Sequence, residues 1–270
     1  MASSPPLAGR QQARPERPAS LPDGVVALDS VHFGSASRPP DSRRSAAVSR
    51  LLAGRARTAE QLFILGDLFE AWPGDDCLDD AQNPLAGVVA DALRELTDRG
   101  VAVSLMHGNR DFLLGHAFAQ RSGVRLLPDP HVLSVPTWQF VLSHGDALCT
   151  GDADYQRFRA LVRQPAWQSD FLARPLSERY ALALALRRES ELARRSKPDY
   201  LMDVDPAATD DFLRRHGYAS LIHGHTHRPA RHDHIVDGIH VERWVLADWR
   251  EEEGECLAWN GATLVRERLI

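Results

Sequence analysis

Residues 101–111 read VAVSLMHGNRD, an apolar run that ends abruptly in a polar cluster built around a glycine. Gly100 stops the helical pattern before it, as a residue just past a helix C-terminus does, so the run reads as a buried strand. Three more runs end the same way, 62–67 LFILGD, 140–146 FVLSHGD and 221–227 LIHGHTH, and 25–32, VVALDSVH, ends in a polar cluster without the glycine. Helical patterns lie between the runs, over 42–57, 84–99, 112–121 and 205–216. Runs alternating with helices predict an α/β fold, and 241–246, 256–259 and 263–266 read as antiparallel strands added at the end. In open α/β sheets ligands gather beyond the carboxyl ends of strands. Five strand ends, each carrying His, Asp or Asn, are therefore predicted to converge on one site.

Composition narrows the function classes. The chain has 270 residues, 43% hydrophobic and 26% charged, enough to bury one large core or two small ones. No apolar run approaches the roughly 18 residues of a membrane span. Cys77, Cys149 and Cys256 are odd in number and form no CxxC pair, against a disulfide scaffold or a thiolate metal site. A formal charge of -5 excludes a globally basic nucleic-acid binder, so no nucleic-acid partner is expected. Residues 1–22, rich in Pro, Ser, Ala and Arg, read as a disordered tail ahead of one domain over 23–270. Within it, 157–197 holds ten basic and four acidic residues together with Trp167, Phe171, Leu176 and Tyr180. That stretch reads as a helical insertion, basic and apolar at once, over about 152–205.

The polar clusters offer imidazole, carboxylate and amide, and no thiolate. This inventory suits Mn²⁺, Fe²⁺ or Zn²⁺. His225 and His227 are two apart and share a face of an extended chain, so they can serve adjacent metals.

The blocks resemble those of the calcineurin-like metallophosphoesterases: D-x-H, G-D, G-N-[HR]-D, H-G and G-H-x-H, in this order. ILGDLFEAW at 64–72, HGNRDFLLG at 107–115, HGDALCT at 144–150 and IHGHTHRP at 222–229 are similar to the UDP-2,3-diacylglucosamine diphosphatases among them. The resemblance spans roughly residues 25–250. It implies a four-layer α/β/β/α sandwich with a helical cap insertion, and two Mn²⁺ ions. Asp67 would bridge them, with Asn109, His144 and His225 completing one site and His32 with His227 holding the other. It implies catalytic roles for Asn109, Arg110 and His144. Substrate contacts would come from Asn109, Arg110, Asp152, Tyr155, Ser190, Arg194, Lys197 and His225. The implied substrate is UDP-2,3-diacylglucosamine, cleaved to UMP and the sugar 1-phosphate on the cytoplasmic face of an anionic inner membrane.

Two positions depart from that pattern or sharpen it. Arginine cannot act as a general acid near neutral pH, so Arg110 suits a diphosphate, whose leaving group departs as a stable anion. It is best used to bind phosphate oxygens bidentately. The first block has Ser30 where the pattern places Asp, with an Asp displaced to Asp29. On a strand a one-residue shift turns a side chain to the other face, so weaker binding is expected at the first metal. Two other readings stay open: a metal-deficient phosphoesterase-fold binding module, and a phosphoesterase acting on another nucleotide pyrophosphate.

Overall fold

Alternation within each apolar run decides what its two faces pack against. The computed structural model describes residues 25–28, 31, 33, 52, 54–81, 84–196, 198–249 and 254–269. One sheet holds β1 (Val25–Leu28), β2 (Gln61–Ile64), β3 (Ala102–Met106) and β4 (Arg125–Leu127), all parallel. A second holds β5 (His131–Val135), β6 (Trp138–Ser143), β7 (Ser220–His223), β8 (Ala230–Val236) and β9 (Ile239–Val245). The chain then returns to the first sheet as β10 (Gly254–Trp259), antiparallel to β1, and β11 (Leu264–Leu269). The strand orders are β11-β10-β1-β2-β3-β4 and β5-β6-β7-β9-β8.

Leu28, Leu62, Ile64, Val103 and Leu105 point to one side of the first sheet. There they meet Val89, Leu93 and Leu96 of α1 (Leu85–Asp98) and Phe118 of α2 (His116–Ser122). Ala27, Phe63, Leu65 and Met106 point to the other side and meet Phe140, Leu142 and Ile222 of the second sheet. Val141, Leu221 and Val241 form the far face of that sheet, under Phe212 and Leu213 of α6 (Pro206–Arg215). The layers therefore run α/β/β/α. Strands buried on both faces read as continuous apolar runs rather than as alternating ones, which is why they stand out in the sequence.

The helix expected over 112–121 starts only at His116. Its first amides are tied to Asp75, whose carboxylate accepts from Gly115 N at 2.9 Å and Phe118 N at 3.1 Å, while Leu114 N turns back to Asp111 O at 3.0 Å. Strands β5 and β8 escape the apolar-run criterion because they are half-exposed edge strands, reading HVLSV and ARHDHIV. The segment read as an antiparallel strand over 241–246 is antiparallel only to β8; against β7 it runs parallel. Of the helix expected over 42–57, residues 42–51 and 53 lie outside the described residues, as does the 1–22 tail, and Arg55–Thr58 is a 3-10 turn.

Between β6 and α6 stand α3 (Ala153–Val162), α4 (Pro165–Leu172) and α5 (Leu176–Ser196). Pro165 opens α4 at a position where its missing N–H costs nothing. Phe171, Trp167, Leu176, Tyr180 and Leu182 pack these helices onto the first core. Arg179, only 3% exposed, donates to Pro73 O at 2.6 Å and Asp76 Oδ1 at 2.9 Å, pinning α5 to the body. Among the described residues no helix is long and apolar enough to cross a membrane.

Asp76→Ala leaves the Arg179 guanidinium buried without its counter-charge, and a loss of about 2 kcal/mol in a urea melt is expected. Removing Asp154 from its exposed pair with Arg157 is expected to cost less than about 0.5 kcal/mol. Equal losses would show that the cap is not pinned through Arg179.

Candidate active site

β1, β2 and β3 are parallel, and so are β6, β7 and β9, so the carboxyl ends of each set share one edge of their sheet. The two edges meet. His144, just past β6, engages Leu65 O, just past β2, through Nδ1 at 2.9 Å. Its other nitrogen, Nε2, faces Asn109 Oδ1 at 3.0 Å, beyond the end of β3. His225, beyond β7, sets Nδ1 at 2.9 Å from the same Asn109 oxygen. Asp67 Oδ1 is 3.8 Å from His144 Nε2 and accepts the Arg110 amide at 2.9 Å. One carboxylate, one amide and two imidazoles thus face each other across the junction of the sheets.

The loops are held in this shape by a second buried carboxylate, Asp111. Asp111 is completely buried, and its two oxygens accept from the amides of Asp67 (3.3 Å), Leu68 (2.7 Å), Phe69 (3.3 Å) and Gly108 (2.8 Å). Burial and the nearby Asp67 carboxylate raise the Asp111 carboxyl above its ordinary range, while the amide hydrogens pull it back. The closeness of the two loops explains one glycine: a Cβ on Gly108 would lie 2.1 Å from Asp67 Oδ1. Asp67, His225 and His227 have φ of 50°, 63° and 55°, left-handed values uncommon outside glycine. Such strain, collected on three predicted site residues, is typical of functional loops.

His225 is half-buried, and loss of solvent around the ring together with the adjacent His144 pushes its pKa down to about 3, so the ring is neutral at neutral pH. A neutral imidazole is the form that binds a metal. Burial alone would raise the Asp146 carboxyl, but His144, His225 and Arg159 outweigh it and hold it below the usual carboxylate range. Cys149 lines the same cavity, yet burial pushes its thiol up to about 12, which leaves it inert as a nucleophile.

Asp67, Asn109, Arg110, Asp152, Tyr155, Ser190, His225 and His227 all line one cavity of about 430 Å³. The cap adds apolar side chains to its lining, Phe158, Val162, Trp167, Phe171 and Leu186, beside the charged Arg159, Arg163 and Arg187. The Tyr155 ring stacks on His225, 5.8 Å between centroids and 28° between planes. Asp152 caps α3, its carboxylate accepting from Tyr155 N at 3.1 Å. Arg110 turns its guanidinium to Asp67 Oδ2 at 3.3 Å and to the Glu70 carboxylate. Ser190 is on the exposed face of α5 at the rim. Asp29, Ser30, His32 and Lys197 lie outside the described residues, as does the side chain of Arg194. Among the described residues no group of three or more His, Cys, Asp or Glu side chains closes to metal-holding geometry. Asp67, Asn109, His144 and His225 are the convergent donors, with His227 Nδ1 3.8 Å from Asp248 Oδ2.

Some members of this site carried no separate signal. Asp111 and Asp146 sit inside conspicuous blocks, but nothing in a block distinguishes a residue that holds a loop from one that faces the cavity. Glu70 stood in ILGDLFEAW as one residue among nine. Asp248 follows β9, which runs into no glycine-marked cluster.

The chain is 52% identical over 211 residues to the UDP-2,3-diacylglucosamine hydrolase of Aromatoleum aromaticum, covering 78% of this chain and 84% of that protein. It is 48% identical over 199 residues to the UDP-2,3-diacylglucosamine hydrolase of Chromohalobacter salexigens, covering 74% and 79%. To that of Aeromonas hydrophila it is 49% identical over 225 residues, covering 83% and 90%. No family model matches the chain. Among solved structures, Vacuolar Protein Sorting 29 from Cryptosporidium parvum overlays with a TM-score of 0.41 at 11% identity, covering 90% of this chain and 96% of that one. A phosphoesterase from E. coli gives 0.41 at 12%, covering 91% and 99%.

Gly108→Ala drives a methyl group into Asp67. Titration calorimetry with Mn²⁺ is expected to show affinity lower by about 10–100-fold, with the fold retained by circular dichroism. Wild-type affinity would mean that the contact between the two loops does not shape the site.

Proposed function

The chain belongs to the UDP-2,3-diacylglucosamine hydrolases, within the calcineurin-like metallophosphoesterases, and from that membership we propose that it hydrolyses the diphosphate of UDP-2,3-diacylglucosamine, releasing UMP and 2,3-diacylglucosamine 1-phosphate. The observation that carries the reading is the mixed lining of one cavity. Asp67, Asn109, Arg110, His225 and His227 line it together with Phe158, Val162, Trp167, Phe171 and Leu186 of the cap. A substrate with a diphosphate at one end and two acyl chains at the other needs both kinds of lining. Neither a simple phosphomonoester nor a free nucleotide needs the apolar part.

The donor set fits divalent ions. Asn109 Oδ1 is shared between His144 Nε2 and His225 Nδ1, next to the Asp67 carboxylate, with no thiolate present. We assign Asp67, Asn109, His144 and His225 to one Mn²⁺, and Asp67, His227 and His32 to a second, weakened by Ser30. The chemistry such ions supply when bound is a water acidified towards neutrality and neutralisation of charge on the phosphoryl oxygens.

The remaining side chains bind and orient. Arg110 is held beside the cavity by Asp67 and Glu70, ready to exchange those carboxylates for phosphate oxygens of the same charge. It donates throughout and moves no proton, which a phosphate-ester leaving group allows. His144 is locked by Leu65 O at Nδ1, so its Nε2 points at the reacting region with a fixed tautomer. Asp152, Tyr155 and Ser190, with Arg194 and Lys197, would bound the sugar and its phosphate. Phe158, Val162, Trp167, Phe171 and Leu186 would hold the acyl chains and exclude water. Residues 23–270 would then form one phosphoesterase domain, with the cap inserted at about 152–205. The protein would work at the cytoplasmic face of the inner membrane, where its substrate's acyl chains lie.

The test is UMP release from UDP-2,3-diacylglucosamine and from UDP-glucosamine without acyl chains, both at saturating Mn²⁺. The apolar lining predicts kcat/KM about 100-fold or more lower without the chains. Equal rates would point instead to a general nucleotide pyrophosphatase. No UMP from either substrate would favour a binding module.

A further inference from the structure

Asp146 takes no part in the chemistry proposed above, yet its carboxylate is wholly buried within reach of the site. One oxygen, Oδ2, accepts from Tyr155 Oη at 2.7 Å, Arg159 Nε at 2.8 Å and Arg163 Nη2 at 3.5 Å. The Asp146 main-chain carbonyl accepts from Gln156 Nε2 at 2.8 Å. Tyr155, Gln156, Arg159 and Arg163 form one stripe along α3 and its end, so a single residue of the body seats that whole face of the cap. The other oxygen, Oδ1, is buried with no hydrogen-bond partner among the described residues. An unsatisfied buried acceptor costs on the order of 1–3 kcal/mol, and such a cost persists where the surroundings over-determine the arrangement.

What Asp146 holds is informative. Tyr155 lies with its ring stacked on His225, and Arg163 also donates to Gly108 O at 3.2 Å, one residue before Asn109. Both arms of the network therefore end on the groups assigned to the reaction. Tyr155 has one hydroxyl hydrogen, and it is given to Asp146. That hydroxyl cannot donate to a phosphate oxygen at the same time.

We propose that Asp146 is a positioning residue: through the Tyr155 hydroxyl it fixes the ring that orients His225, and through Arg159 and Arg163 it seats the first cap helix against the Asn109 loop. Tyr155 then acts through its ring face rather than as a hydrogen-bond donor to substrate. The kinetic readout rests on the hydrolysis proposed above.

Tyr155→Phe, Asp146→Asn and the double variant test this by a cycle. The measurements are kcat and KM for UDP-2,3-diacylglucosamine at saturating Mn²⁺, with unfolding midpoints alongside. Each single variant is expected to lower kcat by about tenfold or more with KM changed less than about threefold. The double variant should be no slower than the poorer single variant, because both break the same link. Losses that multiply in the double variant would overturn the proposal. So would a Tyr155→Phe that raises KM and spares kcat, which would mark the hydroxyl as a substrate contact. Tyr155→Phe keeps the ring and the ion pairs of Asp146, so it separates positioning from simple loss of stability. A second readout needs no turnover: the ring signal of His225 in metal-free protein, followed by heteronuclear NMR. It is expected to shift in the same direction in both single variants, and an unchanged signal in both would overturn the proposal. If the wild type released no UMP, that result would count against the proposed function, and the His225 signal would still decide this one.

Discussion

The Asp111 carboxylate is the interaction on which the rest of the site depends. By accepting four amide hydrogens it binds the loop after β2 to the loop after β3, and so fixes Asp67 opposite Asn109. The arrangement explains why Gly108 carries no side chain, and why Asp67 tolerates a left-handed backbone beside it. Once the two loops are fixed, the second sheet has only to bring His144 and His225 to the same place. It does so through the hydrogen bond of His144 to Leu65 O and the shared oxygen of Asn109. The site is an inter-sheet junction, and its rigidity comes from the packing of Phe63, Leu65 and Met106 against Phe140, Leu142 and Ile222 beneath it.

The cap is attached by charge at three places. Arg179 meets Asp76 on the apolar side, and Arg159 and Arg163 meet Asp146 on the polar side. Arg187 meets Glu70, the same carboxylate that receives Arg110. The excess positive charge of this segment therefore does not stand wholly on an outer surface. Much of it neutralises carboxylates of the body, which carries the compensating negative charge. A buried guanidinium is used well here, because its planar fork reaches a carboxylate and carbonyls together.

The strands with both faces buried were legible, because short apolar runs such as 101–106, bounded by glycine, are what such strands leave in a sequence. The convergence of polar clusters was legible too, since His, Asp or Asn follows each run at the same topological point. Edge strands β5 and β8 were not, because half-exposed strands lack the apolar run. The partition of the strands into two sheets could be reached only by resemblance, since periodicity does not say which strand pairs with which. Within the site, Asp67, Asn109, His144, His225 and His227 could be named from residue type and block order. The supporting carboxylates could not be told apart: Asp111 and Asp146 look in sequence like candidates for the cavity, and only hydrogen bonds show that one holds a loop and the other holds the cap. Which of the insertion's ten basic residues turn inward was not legible either: Arg159, Arg163, Arg179 and Arg187 pair with carboxylates of the body.

The central claim is that the carboxyl ends of two sheets converge to hold divalent metal above a junction set by Asp111. Anomalous diffraction at the manganese edge, from crystals of the protein loaded with Mn²⁺, tests it most directly. The account predicts an anomalous peak in contact with Asp67, Asn109, His144 and His225. No peak at those residues, with Mn²⁺ bound elsewhere or not at all, would contradict it.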